Sequence, residues 1–173
     1  IRSDGAMSAK RSAGAALELL RNTATTGTTD VLGKLIFGSV DWDSSTAAII
    51  SYQDGAKDKG SLTFNTQAAV GSGIQERLRI TSGGQVRIGN ENNLALWGQT
   101  NRLQVAGTDW NTSGITIACM GNGGSANLVM GNSRASTPGG SNSALQSGDR
   151  LGYISFVGDD GTDMYTVGAA IVA

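Results

Sequence analysis

The sequence contains no histidine, one cysteine and one proline, and the first two scarcities exclude whole classes of site. Without histidine, the chain cannot carry a Ser-His-Asp or Cys-His catalytic centre, or a metal site that uses imidazole. The single cysteine, Cys119, cannot form a disulfide within the chain, and its apolar neighbours predict that it packs as a small apolar residue. No apolar run approaches the ~20 residues of a membrane span, so membrane insertion is not expected.

Large and charged side chains are also scarce. Aromatic residues make up 5% of the chain, charged residues 16%, and the net charge is −1. Because phosphate binding requires clustered lysine and arginine, nucleic acid is not expected as a partner. Glycine, with 26 residues in 173, is about twice as frequent as its usual ~7% share. A chain with so few large side chains is expected to share its core with other chains.

The clearest pattern that is present lies in Glu76–Gly89, which consists of two alternating stretches around a Gly-Gly turn. Four apolar residues have one parity and three arginines the other: Leu78, Ile80, Val86 and Ile88 against Arg77, Arg79 and Arg87. Alternation with period 2 indicates strands with one buried and one solvated face. We therefore expect the apolar residues to face a core and the arginines to face water.

Three pairs of segments repeat within the chain. Ile1–Met7 matches Ile80–Val86, at an offset of 79 residues from position 1 to 80. Leu32–Phe37 resembles Leu151–Phe156, at an offset of 119 residues from position 32 to 151. The small apolar runs Ala47–Ile50 and Ala169–Val172 follow, at an offset of 122 residues from position 47 to 169. Because the offsets differ, the repeats are modules with insertions of different length rather than a strict tandem array. Internal repetition is typical of elongated proteins whose units stack or assemble.

The positions of glycine-rich and polar segments predict four regions along the chain. These are the end of an upstream module at 1–14, a β module at 15–89, a linking β region at 90–147, and the start of a further module at 148–173. Short strands are predicted near 15–21, 32–37, 47–52, 60–66, 76–81, 85–89, 94–97, 102–105, 114–120, 126–130, 151–157 and 166–172. This spacing indicates an all-β fold. The Ser/Gly/Asn-rich segment Asn132–Gly148 is predicted to be a long surface loop. Because residue 1 falls inside a repeated motif, we expect the chain to be a segment of a longer polypeptide.

Two acidic clusters are candidates for chemistry. Asp41 and Asp43 flank Trp42, and a carboxylate pair beside an aromatic residue is compatible with cleavage of a glycosidic bond. Asp159–Asp163 places three carboxylates around a glycine and is compatible with Ca²⁺ binding. Both clusters fall where turns between strands are needed, and Asp, Ser and Gly are turn residues. We favour the turn interpretation for both.

The remaining patterns are weaker. Gly121–Gly124 does not complete a G-x-G-x-x-G motif and precedes no helix, which favours a tight turn. The threonines of Thr23–Thr29 form one cluster, whereas ice-binding surfaces need regular rows. Six scattered aromatic residues are candidates for stacking on sugars, although packing is the commoner role: Trp42, Trp97, Trp110, Tyr52, Tyr153 and Tyr165. No catalytic, cofactor-binding or metal-binding residue is assigned.

Two motifs resemble a known family. Glu76–Gly89 is similar to the E-R-[LM]-R-I-x-S-x-G-x-V-x-I-G motif in the shafts of bacteriophage tail fibres and tailspikes, with Arg87 where that family usually has glycine. Gly148–Phe156 is similar to the G-D-x-L-G-x-I-x-F strand of the same proteins, and the D-G-T that commonly follows it is present at Asp160–Thr162. The resemblance covers about three-quarters of the chain.

The resemblance implies an elongated trimeric fibre shaft of short interleaved strands, similar to a β-prism or triple β-helix, with modular repeats. It implies an extracellular virion protein that forms a homotrimer, contacts other tail or baseplate proteins, and holds a host-recognition tip away from the particle. The resemblance also makes a host surface glycan a candidate partner. Such proteins often end in a self-cleaving chaperone domain, which nothing in this chain matches. We expect no enzymatic activity; the alternatives are the stem of a capsule-degrading tailspike enzyme and the stalk of a bacterial surface adhesin.

Overall fold

The computed structural model describes residue 19 and residues 30–173, except 40, 57, 90, 91, 97 and 122. Within that part of the chain there are eight strands and no helix, which confirms the all-β prediction. The strands are β1 (Val31–Phe37), β2 (Ala47–Gln53), β3 (Gly60–Thr66), β4 (Gln75–Ile80), β5 (Val86–Ile88), β6 (Leu103–Val105), β7 (Tyr153–Gly158) and β8 (Thr166–Val172). The strand predicted at 15–21 and the threonine cluster lie outside the described residues, apart from Leu19.

Contacts within the chain define two compact units. The first comprises the described residues up to 91 and residues 102–106, and the second comprises the described residues of 92–101 and 107–173. The region predicted to be a linking segment, 90–147, thus contributes β6 to the first unit and most of its other residues to the second. This division into two units does not test the boundaries of the four predicted regions, which stay a prediction.

The first unit is one six-stranded sheet in the order β1-β2-β3-β4-β5-β6. Neighbouring strands are antiparallel from β1 to β5, and β6 pairs with β5 in parallel. The predicted Gly-Gly turn between β4 and β5 is present: Gly84 has φ 77°, which favours glycine, and its amide donates to Thr81 O at 2.9 Å. Val86 N to Arg102 O, at 2.7 Å, ties the start of β6 to β5.

The register of the sheet sorts the side chains by polarity. One row of cross-strand partners is apolar on all six strands: Leu35, Ile49, Phe64, Leu78, Ile88 and Val105. The next row, on the other face, starts at Lys34 and Ile50 and is polar on the remaining four strands: Thr63, Arg79, Arg87 and Gln104. The predicted parity of Glu76–Gly89 is confirmed for its four apolar residues, which share one face, and for Arg79 and Arg87, which share the other. Arg77 departs from it: it lies at the irregularity in the pairing of β3 with β4, and its Nε donates to Thr66 Oγ1 at 3.1 Å.

The polar face of the sheet is the more buried one. Thr63 is fully buried and Asn65 is 6% exposed, and Asn65 Nδ2 donates to Thr63 Oγ1 at 2.8 Å. Arg79 forms a double hydrogen bond with Glu76, with Nε–Oε1 at 2.8 Å and Nη2–Oε2 at 2.6 Å. It also donates to Ser61 Oγ. The expectation of a solvated Arg79 is wrong, because these partners hold its side chain at 21% exposure.

In the described part of the second unit, the antiparallel hairpin of β7 and β8 is the one regular element. The strands predicted near 114–120 and 126–130 are absent there, because no described segment pairs with them, and only the isolated bridge Leu96–Gln99 remains of the strand near 94–97. Cys119 is exposed, in contrast to its predicted apolar packing. The apolar composition of these segments predicted strands, but a strand also needs a partner for its backbone groups.

A carboxylate links two connections of the first sheet. Asp54, directly after β2, accepts a hydrogen bond from Ser82 N in the β4–β5 turn at 2.8 Å. The side chain and then the backbone of Ser82 lower the pKa of Asp54 from its ordinary 3.8, helped by the charges of Arg79 and Arg87. A lowered folded pKa means that the stabilisation is present above pH 3.8 and is lost as the pH falls through the folded value.

We therefore expect Asp54→Asn to lower the free energy of unfolding modestly at neutral pH and to have almost no effect at a pH below the folded pKa of Asp54. Urea unfolding of the native chain and the variant at both pH values measures the difference. Asp58→Asn, at an exposed position in the same connection, is the matched control. An equal loss of stability at both pH values would show that the carboxylate charge plays no part.

Candidate functional site

The apolar face of the six-stranded sheet is the largest candidate surface. Seven of its large side chains remain 37–57% exposed in the single chain: Leu62, Ile80, Phe64, Ile88, Leu35, Phe37 and Leu103. They lie on five of the six strands and adjoin through the register. Contiguous apolar surface of this kind marks an interaction site in soluble proteins.

The chemistry of this face limits its partners. The described residues that the register assigns to this face carry no charge, and its polar members include Ser51, Thr66 and Gln75. One charge lies at its end: the exposed Arg77, which is outside the register, donates from Nε to Thr66 Oγ1 at 3.1 Å. Covering the seven exposed side chains would contribute roughly 1 kcal/mol each, since about half of each is already buried. A partner for this face must therefore be apolar and need carry no charge.

A second candidate is an open concavity of about 360 Å³ formed by the β1–β2 and β3–β4 loops. The loops meet because both leave the same end of the sheet, where Gln67 N donates to Thr46 O at 2.9 Å. Trp42 and Val70 line the concavity and are 92% and 100% exposed. Two more lining residues, Ala68 and Ala69, make its surface mostly apolar.

Polar groups at the edge of this concavity come from Asp43, Thr46 and Gln67. Asp43 Oδ1 accepts from Ser45 N at 3.0 Å, so this carboxylate shapes its own loop. Gln67 Nε2 donates to Ala69 O at 2.8 Å, while no described residue donates to its buried Oε1. An apolar floor with a few polar groups is the usual composition of a small-ligand site.

The structure separates the acid pair that the sequence placed around Trp42. Asp43 lines the concavity and Asp41 does not. Asp41 is exposed, and its amide donates to Ser39 Oγ at 3.3 Å within the loop. The geometry thus favours the turn interpretation of these acids. The contribution of residues 67–70 was not predicted; the signal was the apolar Ala-Ala-Val sequence in a segment assigned only as a connection.

The acidic segment Asp159–Asp163 is a turn held by its own side chains. Asp159 Oδ1 accepts from Gly161 N at 2.8 Å, and Asp160 Oδ1 accepts from Thr162 N at 2.9 Å and Asp163 N at 3.1 Å. The hydrogen bonds from Thr162 and then Asp163 hold the pKa of Asp160 below its ordinary value. In the part of the chain that the structure describes, no group of three or more acidic, cysteine or histidine side chains is arranged as a metal site.

The segment Asn132–Gly148 contains no strand, as predicted, and its base is closed by hydrogen bonds. Arg134 N donates to Ser143 O at 3.3 Å, and the Arg134 side chain forms a double hydrogen bond with Asp149, with Nε–Oδ2 at 2.6 Å. The tip is a turn at Thr137–Gly140, in which Gly139 has φ 72° after Pro138. The tip residues are exposed.

Comparison of the chain with protein-family models, curated proteins and solved structures finds no match. In the described residues, no helix is long and apolar enough to cross a membrane. The chain's function is therefore inferred from its sequence motifs and from the surfaces described above.

Replacing Ser136–Asn142 with two glycines is expected to leave the fold unchanged, because the hydrogen bonds that close the loop lie outside the removed residues. The change in the free energy of unfolding should be below about 1 kcal/mol, since loop length affects closure entropy only weakly. Chemical unfolding followed by far-UV circular dichroism measures it. Arg134→Ala, which removes the ion pair at the base, is the comparison; a larger loss from the tip replacement would show that the tip packs on the fold.

Proposed function

We propose that the chain is a structural segment of a bacteriophage virion fibre, a tail-fibre or tailspike shaft, that assembles as a homotrimer outside the cell. Its role is to hold a host-recognition tip away from the particle, and its other partners are tail or baseplate proteins. The observation that carries the proposal is the row of apolar side chains that crosses all six strands of the first sheet and stays partly exposed.

Identical copies are suitable partners for this face. The apolar row that crosses the sheet carries no charge, so copies can meet along it around an axis without repulsion between like charges. In a shaft of interleaved strands, the same face would meet itself from three chains. The sequence motifs Glu76–Gly89 and Gly148–Phe156 support three chains rather than two, because they resemble the repeats of trimeric fibre shafts.

Ile80→Asp and Ile88→Asp are each expected to abolish the trimer. Each places a carboxylate on the apolar face, and burying an unpaired charge costs several kcal/mol at each of three equivalent positions. Sedimentation velocity measures the mass, and circular dichroism shows whether strands remain. Val70→Asp is the matched control, because Val70 is fully exposed in a turn and should leave the trimer intact.

Two results would contradict the trimer. One is a compact, folded monomer of the native chain at micromolar concentration. The other is a stable trimer in both aspartate variants, which would mean that a different surface holds the chains together.

The concavity at Trp42 favours a second candidate function, contact with a host surface glycan. An exposed indole beside hydrogen-bonding groups is suited to the apolar face of a sugar ring. Trp42→Ala is expected to reduce binding to a panel of bacterial surface polysaccharides at least about tenfold, or about 1.4 kcal/mol. Trp110→Ala is the matched control, since Trp110 is 84% exposed and does not line the concavity.

Equal binding by the native chain and Trp42→Ala would place glycan contact elsewhere or exclude it. Release of reducing ends during the incubation would instead support the alternative of a capsule-degrading tailspike stem. We expect no such release, because the structure does not bring Asp41 and Asp43 together in the concavity.

A further inference from the structure

The two repeated hairpins of the chain are built in the same register. In the first hairpin, Phe37, Ile36, Leu35 and Lys34 pair with Ala47, Ala48, Ile49 and Ile50. In the second, the residues at the repeat-equivalent positions, Phe156, Ser155, Ile154 and Tyr153, pair with Ala169, Ala170, Ile171 and Val172. The repeat seen in the sequence is therefore also a repeat of strand pairing, so β7 and β8 are the structural equivalents of β1 and β2.

The equivalent strands differ in their neighbours. β2 lies between β1 and β3, whereas β8 pairs with β7 alone among the described residues. The burial of their side chains differs accordingly. Ala48 and Ile50 are 2% and 7% exposed, but the equivalent Ala170 is exposed and Val172 is 51% exposed.

The backbone groups on the open side of β8 can be identified. Ala173 exchanges hydrogen bonds with Gly152 beyond the start of β7, so by alternation the backbone groups of Val172 and Ala170 point away from β7. Their equivalents in β2 face β3: Thr63 Oγ1 donates to Ile50 O at 3.3 Å, and Asn65 Nδ2 donates to Ala48 O at 3.5 Å.

We propose that the open edge of β8 is a docking site for a strand with the pattern of β3, in which small polar residues alternate with large apolar ones. The strand would pair antiparallel, with the equivalents of Asn65, Phe64 and Thr63 opposite Ala170, Ile171 and Val172. β3 itself is paired on both sides, with β2 and β4. The occupant is therefore an additional strand of this type, which would complete the second hairpin as β3 completes the first.

The experiment appends a copy of Tyr52–Ile88 to the chain after Ala173, the position equivalent to Ser51. Linking the strand covalently gives it a high effective concentration at the edge. Amide hydrogen exchange is then followed by NMR in the extended and unextended chains. Exchange at Val172 and Ala170 is expected to slow at least tenfold on extension, while Ile171, which faces β7, is already protected in both.

The control is Val172→Pro in the extended chain, because proline removes an N–H that faces the open edge and leaves the hydrogen bonds to β7 in place. It should abolish the slow exchange at Ala170 and keep Ile171 protected, whereas the matched Val172→Thr should behave like the extended chain. Unchanged exchange at Ala170 on extension, slowing that survives the proline, or loss of Ile171 protection would overturn the proposal.

Slow exchange at Ala170 in the unextended chain would also overturn it, because another copy would then already cover the edge. The measurement reports on the edge of β8, whereas the proposed trimer rests on the apolar face of the first sheet. Its failure would leave the proposed assembly standing, and failure of the assembly would leave this proposal testable on the monomer.

Discussion

The strand register of the first sheet is the constraint on which its surfaces depend. Every side chain of a strand points to one face or the other, and a shift by one residue would exchange the faces. The register from β1 to β6 aligns Leu35, Ile49, Phe64 and their partners in one apolar row, and it aligns Thr63 with Arg79 on the opposite face. One pairing scheme therefore produces both a surface suited to assembly and a polar surface suited to internal hydrogen bonding.

On the polar face, hydrogen bonds between side chains help to hold together a sheet that has few large side chains. Thr63 and Asn65 bond to each other and to the carbonyl oxygens of β2, so their burial is accompanied by hydrogen bonds. The Arg79–Glu76 pair is partly buried and keeps both partners satisfied. Polar groups buried with partners are tolerated, whereas the same groups left unpaired would cost 1–3 kcal/mol each, a typical figure for buried polar groups. Among the described residues, nothing covers the large side chains of the apolar face completely, and this exposure is the basis of the proposed assembly.

The loops differ in whether their side chains are used within the loop or remain exposed for contact with a ligand. The β1–β2 and β3–β4 loops converge at one end of the sheet and expose Trp42 and Val70, whereas Asp159–Asp163 uses its carboxylates to cap its own backbone. A loop whose polar groups are already used internally has little left for a ligand. The Trp42 concavity keeps an exposed aromatic face, and this difference makes it the stronger candidate for glycan contact.

The local sequence pattern was enough to predict those strands whose pairing partner is nearby in sequence. It also predicted the alternation of apolar residues in Glu76–Gly89 and the repeat of β1 and β2 by β7 and β8. The period of two is a property of the backbone, so it can be read before any partner is known. It could not show which apolar segments find a partner: 114–120 and 126–130 have the apolar composition of strands but pair with nothing described in the chain.

The burial of individual side chains could not be predicted from the sequence either, because it depends on what covers each face of the sheet. Arg79 was expected in water and is held by Glu76 and Ser61, while Ile80 and Ile88 were expected in a core and stay partly exposed. The concavity at Trp42 joins residues from two loops and had no local signal beyond an apolar turn. The sequence by itself determined the alternation, the turns and the repeats, all of which are local; only the tertiary structure decided the partners, the exposed face and the open edge of β8, because these depend on contacts between distant residues.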